Sequence, residues 1–159
     1  MKRGFLGLLM LALAGCATAS TQWVTFPISS GGKGVTLDAW LQAHPLKADQ
    51  AMSLEELSRG EMASTHLVQI RKQEPLHIHE NHDATAILLK GQGILWVGDR
   101  KLELKPGSIV TIPRGVPHSF TNQSPEPAVA YVIFNPAFDN KDFVPVTVSS
   151  SKEAPAGKK

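Results

Sequence analysis

A single cysteine, Cys16, is all that this chain of 159 residues contains, so no disulfide can staple it and redox chemistry is silent about its compartment. Long hydrophobic runs are missing too. The apolar stretch from Phe5 to Ala14 falls short of the roughly 20 residues that a membrane-spanning helix needs. Charge of one sign is not in excess: 16 basic residues face 14 acidic ones, and Lys2 and Arg3 lie in the leader, which leaves 14 against 14. A near-neutral body gives no electrostatic case for nucleic acid. There is no Gly-rich phosphate loop, no nucleophilic cysteine in the body, and no serine in a recognisable triad.

What the sequence does have is a concentration of histidine. Four of its six histidines fall in two short segments, His77-Ile78-His79-Glu80-Asn81-His82-Asp83 and Pro113-Arg114-Gly115-Val116-Pro117-His118. Residues two apart on a strand point to one face, so His77 and His79 aim their imidazoles into one space. A returning strand can add His118. Neutral imidazole suits Zn, Fe, Ni, Mn or Cu. A surface pair on a half-exposed strand has the same spacing.

The segment from Gly107 to Asn122 resembles the second motif of the cupin superfamily: Gly107, Pro113, Gly115, His118 and Asn122 occupy every fixed position. The first motif is matched by His77, His79 and Gly91, but Arg71 stands where it has a leading Gly. Its Glu is also absent. Counted back from Gly91, that place holds Ala84; counted at the shorter spacing from His79, it holds Asp83. The resemblance spans roughly residues 63–135. It implies an all-β, double-stranded β-helix (jelly-roll) barrel whose metal ligands are His77, His79 and His118. One divalent transition metal is implied, of Fe, Mn, Zn or Ni, with His82 and Asp83 as candidates for a fourth ligand. The superfamily's habit of pairing through its sheets implies a homodimer.

The leader makes a separate case. Lys2 and Arg3 precede the apolar run as in a secretory signal. Leu13-Ala14-Gly15-Cys16 resembles the lipobox of bacterial lipoproteins, which implies cleavage before Cys16, lipid on its thiol and a membrane anchor in the cell envelope. Ala17, where an Asp would favour inner-membrane retention, points to the outer membrane facing the periplasm if the cell has one. An ordinary signal peptide is the alternative. Residues 1–15 are thus read as signal peptide, 16–34 as lipidated Cys and flexible tether, 35–148 as one domain and 149–159 as a disordered tail. About 144 residues remain after cleavage, enough for one core.

Within the domain, Val35 to Leu41 reads as a strand. Leu46 to Arg59 reads as a short helix, with Ser53 and Glu56 forming a capping box. From Ala63 onward, short β-rich runs alternate with turns, among them a hairpin at Gly98-Asp99, which suggests a sandwich or barrel without any resemblance. Pro75 interrupts the run that ends at His77–His79. His66 and Arg114 are weak candidates for ligand binding, the first beside the mouth and the second at its rim. Trp96, Phe120, Tyr131 and Phe134 read as core.

Two functional classes follow. One is a lipid-anchored protein that binds a divalent metal and a small, oxygenated or anionic molecule, either as a metal-dependent enzyme (a dioxygenase, or a sugar or organic-acid isomerase or lyase) or without turnover. The other is a ligand-binding or sensor module with no metal.

Overall fold

A computed structural model describes Trp23–Val24 and residues 34–147. The leader, Cys16 and the 149–159 tail lie outside the described residues. Twelve strands and one helix make up the described chain: β1 (Trp23–Val24), β2 (Val35–Thr36), α1 (Leu37–Ala43), β3 (Met52–Arg59), β4 (Ser64–Ile70), β5 (Gln73–Ile78), β6 (Asp83–Lys90), β7 (Gly93–Val97), β8 (Arg100–Leu104), β9 (Ile109–Ile112), β10 (His118–Asn122), β11 (Ala128–Asn135) and β12 (Val144–Pro145). Ten of these strands form two five-stranded sheets, ordered β12-β5-β10-β7-β8 and β3-β4-β11-β6-β9. All the pairings are antiparallel. Apart from the hairpins β3–β4 and β7–β8, neighbours in each sheet are not consecutive in sequence, which is the jelly-roll connectivity. β1 pairs with β2 outside both sheets.

Alternation along the strands divides inside from outside. In β4, Val68 and Ile70 turn inward; in β11, Ala128, Val132 and Phe134 do the same. Leu95, Phe120, Ala84, Leu88 and Ile112 meet them from the other strands. Gly93 is held to its identity by contact: a Cβ there would lie 2.2 Å from the Thr121 carbonyl oxygen and 2.6 Å from the Phe120 ring.

A second cluster forms on the outer face of β4 and β11, where Leu67 and Val129 receive Leu37 and Trp40 of α1. The helix starts at Thr36, whose Oγ1 accepts the Ala39 N–H at 3.2 Å, and Asp38 favours its first turn. Among the described residues, no helix is long and apolar enough to cross a membrane.

The expected short helix exists, but at 37–43 rather than within 46–59, and the expected strand at 35–41 shrinks to Val35–Thr36. Ser53 and Glu56, read as a capping box, lie on β3 instead. The pairing partner decides. Met52 and Leu54 stand opposite Ile70 and Val68 and reach the core between the sheets, and a bulge between Glu56 and Ser58 shifts Leu57 to the outer cluster. A helix cannot serve both faces from those positions. The run that carries His77 also continues through Pro75 rather than stopping at it.

Candidate metal centre

His77 and His118 face each other directly across the β5–β10 ladder. His79 follows the end of β5, one pleat further on. Its carbonyl accepts the Gly115 N–H at 2.6 Å, which ties the loop before His118 to the His77–His79 segment. Gly115 has φ of 73°, a left-handed conformation in which a side chain is strained, so glycine is needed at that tie. The three imidazoles are buried, and their facing nitrogens lie within 4.8 Å of one another.

Each ring is oriented by a main-chain carbonyl. His77 Nδ1 donates to Pro75 O at 2.8 Å, His118 Nδ1 donates to Val116 O at 3.0 Å, and His79 Nδ1 donates to Asp142 O. A carbonyl can only accept, so the proton of each neutral ring sits on Nδ1 and the Nε2 lone pair is exposed to the centre. The 3.3 Å approach of His77 Nε2 to His79 Nε2 therefore joins two lone pairs and is no hydrogen bond between neutral rings. Burial pushes His77 down to about 3, aided by the His118 charge, and pushes His118 down to about 4. His79 is lowered by burial as well, against the opposing pull of its bond to Asp142. Three converging acceptors with no donor between them are what a metal cation would complete. The donor set therefore fits one.

The centre opens on a cavity of about 90 Å³ between the two sheets. Its walls are apolar, with Ala84, Ala86, Ile112, Phe120, Phe134 and Phe138 among them. Among the described residues, Glu74 and the triad are the only ionisable side chains on its lining. Phe143 stacks on His77 with ring centroids 3.9 Å apart and is partly exposed.

The other sequence candidates stand elsewhere. Asp83 turns outward to Arg114, accepting its main-chain N–H at 2.9 Å and its Nη2 at 2.7 Å. That hydrogen-bonding holds the Asp83 carboxyl down at about 2, and neither residue lines the cavity. His82 is buried but bonded through Nδ1 to Asp142 Oδ2 at 2.5 Å. Neither candidate for a fourth ligand is thus free to serve. His66 is fully buried away from the mouth: it bonds Ser64 Oγ at 2.8 Å, sits edge-on to Phe134 and Phe138, and does not line the cavity. Phe120 and Phe134 are core residues and cavity wall at once. Trp96 is 42% exposed and belongs to neither.

Two residues escaped the sequence reading. Asp142 is buried. Its carboxylate accepts the N–H groups of Glu80 and Asn81, both at 2.8 Å, together with the His82 bond. Burial raises its carboxyl, but those hydrogen bonds outweigh that and hold it at about 2. Nothing local distinguishes Asp142 in its polar loop. Glu74 lies three residues before His77, and strict alternation puts it on the far face. Burial pushes its carboxyl up to about 7.

The cupin domain family matches residues 65–134. An uncharacterized protein of Aquifex aeolicus is 42% identical over 83 residues, which cover 52% of this chain and 68% of that protein. This chain is a cupin. Among solved structures, a conserved protein with a double-stranded β-helix domain from Klebsiella pneumoniae superposes with a TM-score of 0.57 at 16% identity, over 68% of this cupin and 95% of that chain. Pac13 from Streptomyces, described as a nucleoside dehydratase, superposes with a TM-score of 0.54 at 16% identity, over 66% and 86% of the two chains. At that identity the likeness extends to the fold alone. The cupin barrel thus hosts enzymes, and this one has a histidine triad able to hold a metal.

Proposed function

We propose that this cupin is a lipid-anchored protein of the cell envelope, holding one divalent transition metal through His77, His79 and His118 and taking a small oxygenated molecule into the cavity beside it. The observation that carries the metal reading is the set of three Nδ1–H donations to carbonyls, which leaves three lone pairs converging. The anchor rests on the Leu13-Ala14-Gly15-Cys16 sequence. A metal bound there would act as a Lewis acid on a ligand oxygen. The chain's own contribution is to fix the rings, to exclude water with Phe134 and Phe138, and to leave room beside the triad. Apolar walls suit a ligand with a hydrocarbon body and an oxygen at one end better than a sugar or a polyanion.

Elemental analysis of the full chain, purified without chelator or His-tag, tests this against His77→Ala/His118→Ala. Metal close to one per chain in the wild type and absent from the double variant is the expected result. A wild type that stays metal-free after reconstitution refutes the reading.

A metal-dependent enzyme is the second reading, favoured by a triad of only three protein nitrogens, which leaves coordination positions open beside a cavity. Turnover of a bound ligand, with oxygen uptake in the case of a dioxygenase, separates it from a binding or sensor module.

A further inference from the structure

The carboxylate that the first cupin motif would place at position 84 is replaced by a methyl group. Ala84 is 3% exposed and forms part of the cavity wall, so β6 offers the centre no oxygen. Asp83 and His82, its neighbours, are engaged with Arg114 and Asp142. A carboxylate is nevertheless present in the cavity, on a different strand.

The strand register explains how Glu74 gets there. From His118 to Phe120 is two residues on β10, whereas their partners on β5, His77 and Glu74, are three apart. The extra residue makes a bulge at Pro75 and Leu76. Pro75 has no N–H to leave unpaired, so the ladder is interrupted there with no orphaned donor. Upstream of a one-residue bulge the alternation reverses, and Glu74 comes to share the inner face with His77. Its Oε1 lies 3.9 Å from His77 Nε2, the lone-pair atom aimed at the centre, and its side chain is 17% exposed. No side chain among the described residues donates a hydrogen bond to that carboxylate. The non-histidine walls around it are hydrocarbon. A largely buried carboxylate without a partner is costly, and a cation held by the adjacent nitrogens would remove the cost.

We propose that Glu74 is the fourth protein ligand of the metal, supplying from β5 the oxygen that β6 lacks. The proposal rests on the metal reading given above. The three-nitrogen, one-carboxylate set is then complete, with the carboxylate entering from the opposite side of the motif. The wall at Ala84 stays free, and there a bound molecule has room.

The test uses the full chain reconstituted with Co(II), whose visible spectrum reports its ligands. Glu74→Gln should change that spectrum and weaken cobalt binding by about tenfold or more, at or above the loss caused by disturbing groups that only orient ligands. Glu74→Cys should add a thiolate-to-cobalt charge-transfer band that the wild type, with Cys16 as its one cysteine, does not show. Glu74→Gln/Ala84→Glu should recover affinity by restoring an oxygen from the other strand. Far-ultraviolet circular dichroism checks that each variant folds. If Glu74→Gln binds cobalt as tightly as the wild type with an unchanged spectrum, the proposal is wrong. A folded Glu74→Cys without the band would overturn it equally. Cobalt bound by the wild type and lost in His118→Ala, with the Glu74 variants unaltered, removes Glu74 alone. A wild type that takes up no cobalt removes the triad reading, and Glu74 with it.

Discussion

At the scale of single residues, the centre is built from groups of very different visibility. His77, His79 and His118 announce themselves by spacing, because alternation along a strand is enough to aim the first two together. Asp142 and Glu74 do not. Asp142 acts across some sixty residues of sequence, and two of the groups its carboxylate holds are main-chain N–H groups, which leave no trace in side-chain identity. Removing it leaves the buried His82 Nδ1 and two partly buried main-chain N–H groups unpaired at once. Asp142→Ala should therefore cost about 3 kcal/mol or more, read as a lowered urea midpoint. His118→Ala should instead abolish metal uptake while leaving the metal-free fold close to wild-type stability in the same measurement.

At the scale of elements, most strands from Ala63 onward are legible because turn residues bound them and each faces one sheet. The region before Gly60 is not. Ser53-Leu54-Glu55-Glu56 satisfies a helix-start pattern and an alternating strand pattern equally, and local sequence has no means of weighing Val68 and Ile70 across the ladder. The same tertiary override cuts the run from Val35 to Leu41 to a two-residue strand followed by the start of α1, where Thr36 caps and Leu37 and Trp40 find the outer face of β4 and β11. The two assignments make different demands on neighbouring residues. As a strand, β3 should lose about 2 kcal/mol with Leu54→Ala, whose side chain reaches the core, and less than about 0.5 kcal/mol with Ser53→Ala. A helix capped at Ser53 would instead lose about 1 kcal/mol from the serine change. Chemical denaturation of the two variants distinguishes the strand from the helix.

At the scale of the whole molecule, the buried triad couples stability to pH. His77 and His118 ionise in the folded protein only near pH 3 and 4, against an ordinary value of 6.5. Below 6.5 the unfolded chain takes up protons at these rings that the folded chain refuses, so the unfolded state gains. Stability of the metal-free protein is fully present above pH 6.5 and falls as the pH drops towards 3. Thermal melts of His118→Ala should show a shallower fall over that window than those of the wild type. Metal acts in the opposite direction: at a hundred times its dissociation constant, a cation that binds only the folded form adds about 2.7 kcal/mol, and chelation should remove it.

The carbonyl and carboxylate of Asp142, together with β12 pairing against His77 and Ile78, belong to the last part of the described chain. A ribosome makes β5 and β10 first. Until Asp142 has been synthesised, His79 has no acceptor for its Nδ1 proton, and the segment from Glu80 to His82 has no anchor. The triad is therefore fully oriented only once Asp142 is in place, and proteolytic loss of that residue would disarm a candidate site whose three histidines are all intact. A chain ended at residue 139 should keep its β-sheet circular dichroism and lose stoichiometric metal.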